Sequence, residues 1–119
     1  LIDFQLHSKT HANLTLRLDG ESEQRYRERL DAEIRGARDT VQRNLPAKVT
    51  HYAYPFGDAN EVVIERLGRA DFVLGLTVNP GGNAFFANPL MLRRTMVFGD
   101  SDLAAFRSTL QVFREADLR

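Results

Sequence analysis

"LIDFQLHSKTHANLT" occupies residues 1–15. Its first six residues are short, apolar and β-prone, which reads as a strand. A polar stretch follows at once, with His7 and His11 four residues apart. Imidazole is the commonest metal-ligating side chain, and a pair at this spacing can converge on one ion from a helical turn. In parallel α/β proteins, sites are built where the chain leaves the C-terminal ends of the strands. The same spacing also suits two surface histidines on a turn. Two ligands fall short of the three protein ligands plus water of a catalytic zinc. Both readings stay open on these residues alone.

Working outward, "DGE" marks a turn, and Ser22 is placed to cap a helix. Tyr26, Leu30, Ile34, Ala37, Val41 and Leu45 recur at spacings of three and four, which predicts one amphipathic helix over 22–44. Its many Arg and Glu residues form the solvated face, and Pro46 stops it. "KVTHYAY" (48–54) predicts a second strand, closed by "PFGD". Asp58 and Glu61 resemble a capping box for a helix over 59–70, with Gly68 as a left-handed cap. "DFVLGLTV" (71–78) predicts a third strand, apolar enough to be buried on both faces. "LMLRRTMVF" (90–98) predicts a fourth. Asp100 or Ser101 caps a last helix, with Leu103, Phe106, Leu110 and Phe113 on one face. Strands alternating with helices predict parallel βα units in an α/β fold. Four strands are too few for a closed parallel barrel, which needs about eight. The chain therefore reads as a small open sheet or as part of a larger one.

The composition narrows the classes of function. The 119 residues suit one domain, with 43% apolar and 27% charged residues. Sixteen basic residues balance sixteen acidic ones, so charge gives no reason to expect a nucleic-acid partner. No apolar run approaches the ~20 residues that span a bilayer. No signal peptide is visible, and with Leu at position 1 that says little about where the protein works. There are no cysteines, so a metal site would have to use imidazole and carboxylate.

Two further stretches could carry chemistry. Tyr54-Pro55-Phe56-Gly57-Asp58 follows a strand, and its Pro and Gly can turn backbone N–H groups inward, where such groups stabilise an oxyanion. It also reads as a plain strand-to-helix connection. "NPGGNAFFANPLMLRR" (79–94) holds tandem glycines and the pair Phe85 and Phe86, which suit a loop covering a sugar groove or one tucked into the core. Arg93 and Arg94 are neighbours, so in a strand they point to opposite faces. One of them could enter a site. His51, in a strand of mixed polarity, reads as a structural histidine.

In this order the segments resemble the polysaccharide deacetylase family, the NodB-homology domain of carbohydrate esterase family 4. His7-Ser8-Lys9-Thr10-His11 matches that family's H-[S/T]-x-x-H metal motif after a strand, with Leu14 at the motif's terminal Leu. "YAYPFGDAN" looks like its third motif. "DFVLGLTVNPGGN" and "PLMLRRTMVF" resemble later strands of the branch acting on poly-N-acetylglucosamine and similar polymers. The resemblance implies parallel βα units forming part of an incomplete (β/α) barrel. It also implies metal-dependent N-deacetylation of a polysaccharide, with release of acetate. His7 and His11 would ligate a divalent ion, typically zinc, and the Phe56 N–H, flanked by Tyr54 and Pro55, would hold the oxyanion. Phe85, Phe86 and Arg93 are the expected substrate contacts.

Three departures qualify the resemblance. The family's T-F-D-D-G motif, which supplies a base Asp and a metal Asp, has no counterpart here. The Arg that often precedes the third-motif Pro is missing, and so is the late Leu-x-His motif. The chain is therefore expected to be the C-terminal portion of one such domain (1–119), bacterial and extracytoplasmic, and inactive by itself. Asp3, Asp58 and Asp100 are the candidate replacement ligands, with Asp58 better explained as a helix cap. Exposed sheet edges predict self-association. Two other readings remain: a non-catalytic carbohydrate-binding or scaffold module of degenerate deacetylase fold, and a small stand-alone α/β domain with incidental histidines.

Overall fold

The computed structural model describes residues 2–46 and 48–111. Ser22 opens the first helix as expected, its Oγ accepting from the Arg25 N–H at 3.2 Å. Helix α1 spans Glu23–Asp31, a π-helical turn follows at Ala32–Gly36, and α2 spans Ala37–Asn44. The single helix expected over 22–44 thus contains one wider turn. Its apolar stripe holds across that turn: Tyr26, Leu30, Ile34 and Ala37 are all buried. Leu45 then turns extended, with φ −132° and ψ 145°, because a following proline disfavours helical geometry.

The sheet is parallel but more economical than the sequence suggests. Regular strands are short: β1 spans His51–Ala53 and β2 spans Leu74–Leu76, with Tyr52 opposite Gly75. The expected first strand (1–6) contributes one parallel pairing, Leu6 with Tyr52. Leu6 donates to the His51 carbonyl at 3.1 Å and accepts from the Ala53 N–H at 2.9 Å. The expected fourth strand (90–98) likewise reduces to a pairing of Leu92 with Leu76. Its preceding residues form a 3₁₀ turn at Pro89–Met91 instead, begun by Pro89 and capped by Asn88. Four chain segments therefore lie parallel in sequence order, as successive βα units of a barrel do. The third strand was expected to be covered on both faces, but Val73 is exposed while Phe72 and Thr77 are buried. Within β2 itself Gly75 is buried and Leu74 and Leu76 are half-buried, so the exposure lies just before the strand.

Helix α3 spans Glu61–Arg69, and its cap is Asn60 rather than Asp58. The Asn60 side chain accepts from the Val63 N–H at 2.9 Å, whereas the Asp58 carboxylate accepts from the Asn13 amide at 2.7 Å. The left-handed residue after this helix is Asp71, with φ 58°, not Gly68, which stays inside the helix. Helix α4 spans Leu103–Leu110 and is capped by Asp102, two residues past Asp100. Leu103, Phe106 and Leu110 are all exposed. The expected fourth residue of that face, Phe113, lies outside the described residues. No helix among the described residues is long and apolar enough to cross a membrane.

One core joins these elements: Leu6, Leu14, Tyr26, Leu30, Ile34, Val49, Tyr52, Tyr54, Val63, Leu67 and Phe72 are buried together. Tyr54 also braces the sheet. Its hydroxyl donates to the Leu90 carbonyl at 2.6 Å, across the backbone of Gly75. A Cβ on Gly75 would overlap both of those oxygens. Burial pushes the Tyr54 phenol well above its ordinary pKa, so it remains a donor throughout the neutral range. Gly75→Ala should therefore destabilise the fold by about 1–3 kcal/mol, the usual cost of overpacking. Gly68→Ala, with open space around its Cβ, should stabilise by about 0.4–1 kcal/mol. Urea unfolding of the two variants checks both signs.

Candidate functional site

His7 directly follows the Leu6 pairing, so it leaves the sheet beside Ala53. Its Nδ1 lies 2.7 Å from the Ala53 carbonyl oxygen. A carbonyl can only accept, so the ring donates from Nδ1, and a neutral imidazole then keeps its lone pair on Nε2. Ligating histidines are commonly oriented in this way, by a hydrogen bond from the second ring nitrogen. The His11 ring sits 4.9 Å from that of His7, at 64°. Phe56 closes the other side, edge to face with His11 at 4.8 Å and 65°. Both histidines are exposed, and 58% of Phe56 remains accessible.

The histidines meet without a helical turn between them. Ser8 and His11 take left-handed φ values of 64° and 57°, a conformation costing about 1–3 kcal/mol at a non-glycine residue. Ser8 Oγ accepts from the His11 N–H at 2.9 Å, closing the turn on itself. Beneath it stands Glu33, a residue that pattern reading did not single out. Its Oε2 accepts from the Lys9 and Thr10 N–H groups at 2.9 Å each, and its Oε1 from the Thr10 hydroxyl at 2.7 Å. Glu33 is only 6% exposed. It stands three residues after Leu30 and four before Ala37, on the inner face of its helix. A carboxylate in the middle of an apolar stripe was the signal that could have found it.

The second loop is also strained. Phe56 has φ 60° and ψ 0° inside the Pro55–Gly57 turn. Gly57, with φ 78°, passes so close to Val78 that any side chain there would collide with it. Tyr54 and Pro55 are buried, whereas the exposed Phe56 ring meets His11. Phe85 and Phe86 stand fully exposed on the loop between β2 and Leu92. Arg93 lies at the base of that loop. Its backbone exchanges two hydrogen bonds with the Asn83 side chain, and its guanidinium donates to the Pro80 carbonyl at 3.3 Å.

The proposed replacement ligands do not join the pair. Asp3 accepts from the Gln5 amide, at 2.9 and 3.0 Å to its two oxygens. Asp58 is held by Asn13, and Asp100 is exposed. Among the described residues no three His, Cys, Asp or Glu side chains converge. The chemistry of the donor set thus fits two ligands of a divalent ion, not a complete shell.

The family model for polysaccharide deacetylases matches residues 2–75, more than half of the chain. The chain belongs to the polysaccharide deacetylase family. Solved structures of deacetylases share its fold. The Streptococcus pyogenes deacetylase PplD, solved with acetate, is 22% identical with a TM-score of 0.76, over 91% of this chain and 44% of that one. A Bacillus cereus polysaccharide deacetylase is 19% identical with a TM-score of 0.71, over 90% and 31%. The deacetylase domain of BpsB from Bordetella bronchiseptica is 21% identical with a TM-score of 0.61, over 65% and 29%. This deacetylase-family chain therefore spans less than half the length of these structures. No curated protein matches it in sequence. The fold is of the NodB type, and the parallel segments correspond to part of it.

The Ala53 contact yields a direct check on the site. At a pH where the ring is neutral, His7 should carry its proton on Nδ1. Long-range ¹H–¹⁵N NMR of the imidazoles reads this, and an Nε2-protonated His7 would contradict the geometry.

Proposed function

We propose that this chain carries the histidine ligands and the oxyanion loop of a metal-dependent polysaccharide N-deacetylase. The observation behind the reading is the meeting of His7, His11 and Phe56, three residues from two separate loops, at ring separations below 5 Å. His7 Nε2 and the His11 ring would hold a divalent ion, zinc in the first instance. Such an ion, when bound, polarises the amide carbonyl and lowers the pKa of water. The Phe56 N–H would donate to the oxygen on which charge develops, an interaction worth about 10²–10³ in rate where measured elsewhere. Water and the acetamido group would become acetate and a free amine on the polymer. The exposed rings of Phe85 and Phe86 would meet sugar faces, with Arg93 at the base of their loop. The setting would be bacterial and extracytoplasmic, a reading the family resemblance supports. The exposed apolar side chains favour association of the chain with itself, whereas the sheet edges are too short to add much to it.

With two ligands, the 119 residues should bind zinc weakly and show no turnover. Calorimetric titration is expected to give an affinity weaker than micromolar, lost in His7→Ala. Sub-micromolar binding would show that a third ligand is present after all. The display of Phe85 and Phe86 also favours a second reading, a carbohydrate-binding module without chemistry. Under that reading, N-acetylglucosamine oligomers would bind equally well with and without chelator, and Phe85→Ala with Phe86→Ala would abolish binding. Deacetylation by the whole protein that stops on chelation would exclude it.

A further inference from the structure

The two histidines are brought together by a turn that has little else to hold it. Lys9 and Thr10, at its middle, are exposed, so burial of their side chains does not fix them. His7 anchors one end to Ala53, and Leu14 is buried beyond the other. The bond from His11 N–H to Ser8 is internal and does not tie the turn to the body of the protein. Between the two ends, the three hydrogen bonds to Glu33 are the polar tie, beside the edge-to-face contact of the His11 ring with Phe56. All three donors come from the turn, and among the described residues no basic side chain forms an ion pair with this carboxylate. A buried carboxylate is costly unless fully hydrogen-bonded, so its partners and its place are mutually dependent. It also lies in the π-helical turn Ala32–Gly36, a type of irregularity common at functional sites.

We propose that Glu33 is a positioning residue: from within the helix it holds Lys9 and Thr10 so that His7 and His11 face one another, without itself meeting metal or substrate. The consequence for affinity rests on reading the histidines as ligands, and the consequence for their geometry does not.

The test compares the full 119-residue chain with Glu33→Met and Glu33→Gln. Methionine suits the apolar stripe and removes every acceptor. Glu33→Met should keep the helical circular dichroism and the thermal midpoint. Its Lys9 and Thr10 amides should exchange at least about tenfold faster, and the nuclear Overhauser contacts between the His7 and His11 rings should vanish. Its zinc dissociation constant should rise by about tenfold or more, the scale seen when groups that orient ligands are removed. Glu33→Gln, which keeps one acceptor oxygen, should fall between. Unchanged ring contacts and unchanged zinc affinity in Glu33→Met would overturn the proposal. If Glu33→Met does not fold, Glu33→Gln decides: weaker zinc binding at an unchanged midpoint supports positioning, and a parallel fall in both overturns it. If the unsubstituted chain binds no zinc, the ligand reading fails, and the ring contacts and amide exchange still decide the role of Glu33.

Discussion

The pairing of Leu6 with β1 is the constraint from which the site follows. Two backbone hydrogen bonds, to His51 and from Ala53, set the register of the first segment against the sheet. Side chains alternate along extended chain, so a slip of one residue would send each of them to the opposite face. In the observed register Leu6 enters the core and His7 emerges beside the Ala53 carbonyl. Ala53 is also the last residue before the Tyr54-Pro55-Phe56-Gly57 turn. One pairing thus brings together the loop that presents the histidines and the loop that presents Phe56, although some forty residues and two helices separate them in sequence.

Backbone strain gathers at the same place. Among the described residues, four that are not glycine have left-handed φ: Ser8, His11, Phe56 and Asp71. Three of these surround the paired rings. Such conformations persist where their surroundings over-determine them. Here those surroundings are the buried carboxylate of Glu33, the hydroxyl of Ser8 and the close passage of Gly57 past Val78. The polar groups within the core and the strained groups above it are two sides of one arrangement.

Much of this was legible in the chain itself. The long helix announced itself by the spacing from Tyr26 to Val41, and its start by Ser22. HSKTH and YPFG, each after a β-prone run, pointed to adjacent loops and to the family. Strand extent was less legible. The apolar run "LMLRRTMVF" looks like a strand, but Pro89 and Asn88 bend its beginning into a 3₁₀ turn, and only Leu92 pairs with the sheet. The helix cap was misassigned because Asp58 and Asn60 are equally good cap residues in sequence. What distinguishes them is Asn13, which engages Asp58 from forty-five positions away. Glu33 was hidden among the many charged residues of its helix. A count of charges conceals it, whereas its angular position exposes it.

The loop that displays Phe85 and Phe86 is closed at its root. Thr77 donates to Leu92, Leu92 donates to Gly75, and the Asn83 side chain pairs with both backbone groups of Arg93. With the Tyr54 bond to Leu90 and the Arg94 bond to Asn79, these contacts fix the exit from the sheet, so the tip from Ala84 to Ala87 can vary without moving the histidine pair. Lengthening a closed loop is cheap, since each doubling costs only about 0.6 kcal/mol in closure entropy. The architecture thereby separates the contacts that set the geometry from a tip that does not. A transplanted tip would alter what the loop meets while leaving the histidine pair as it stands.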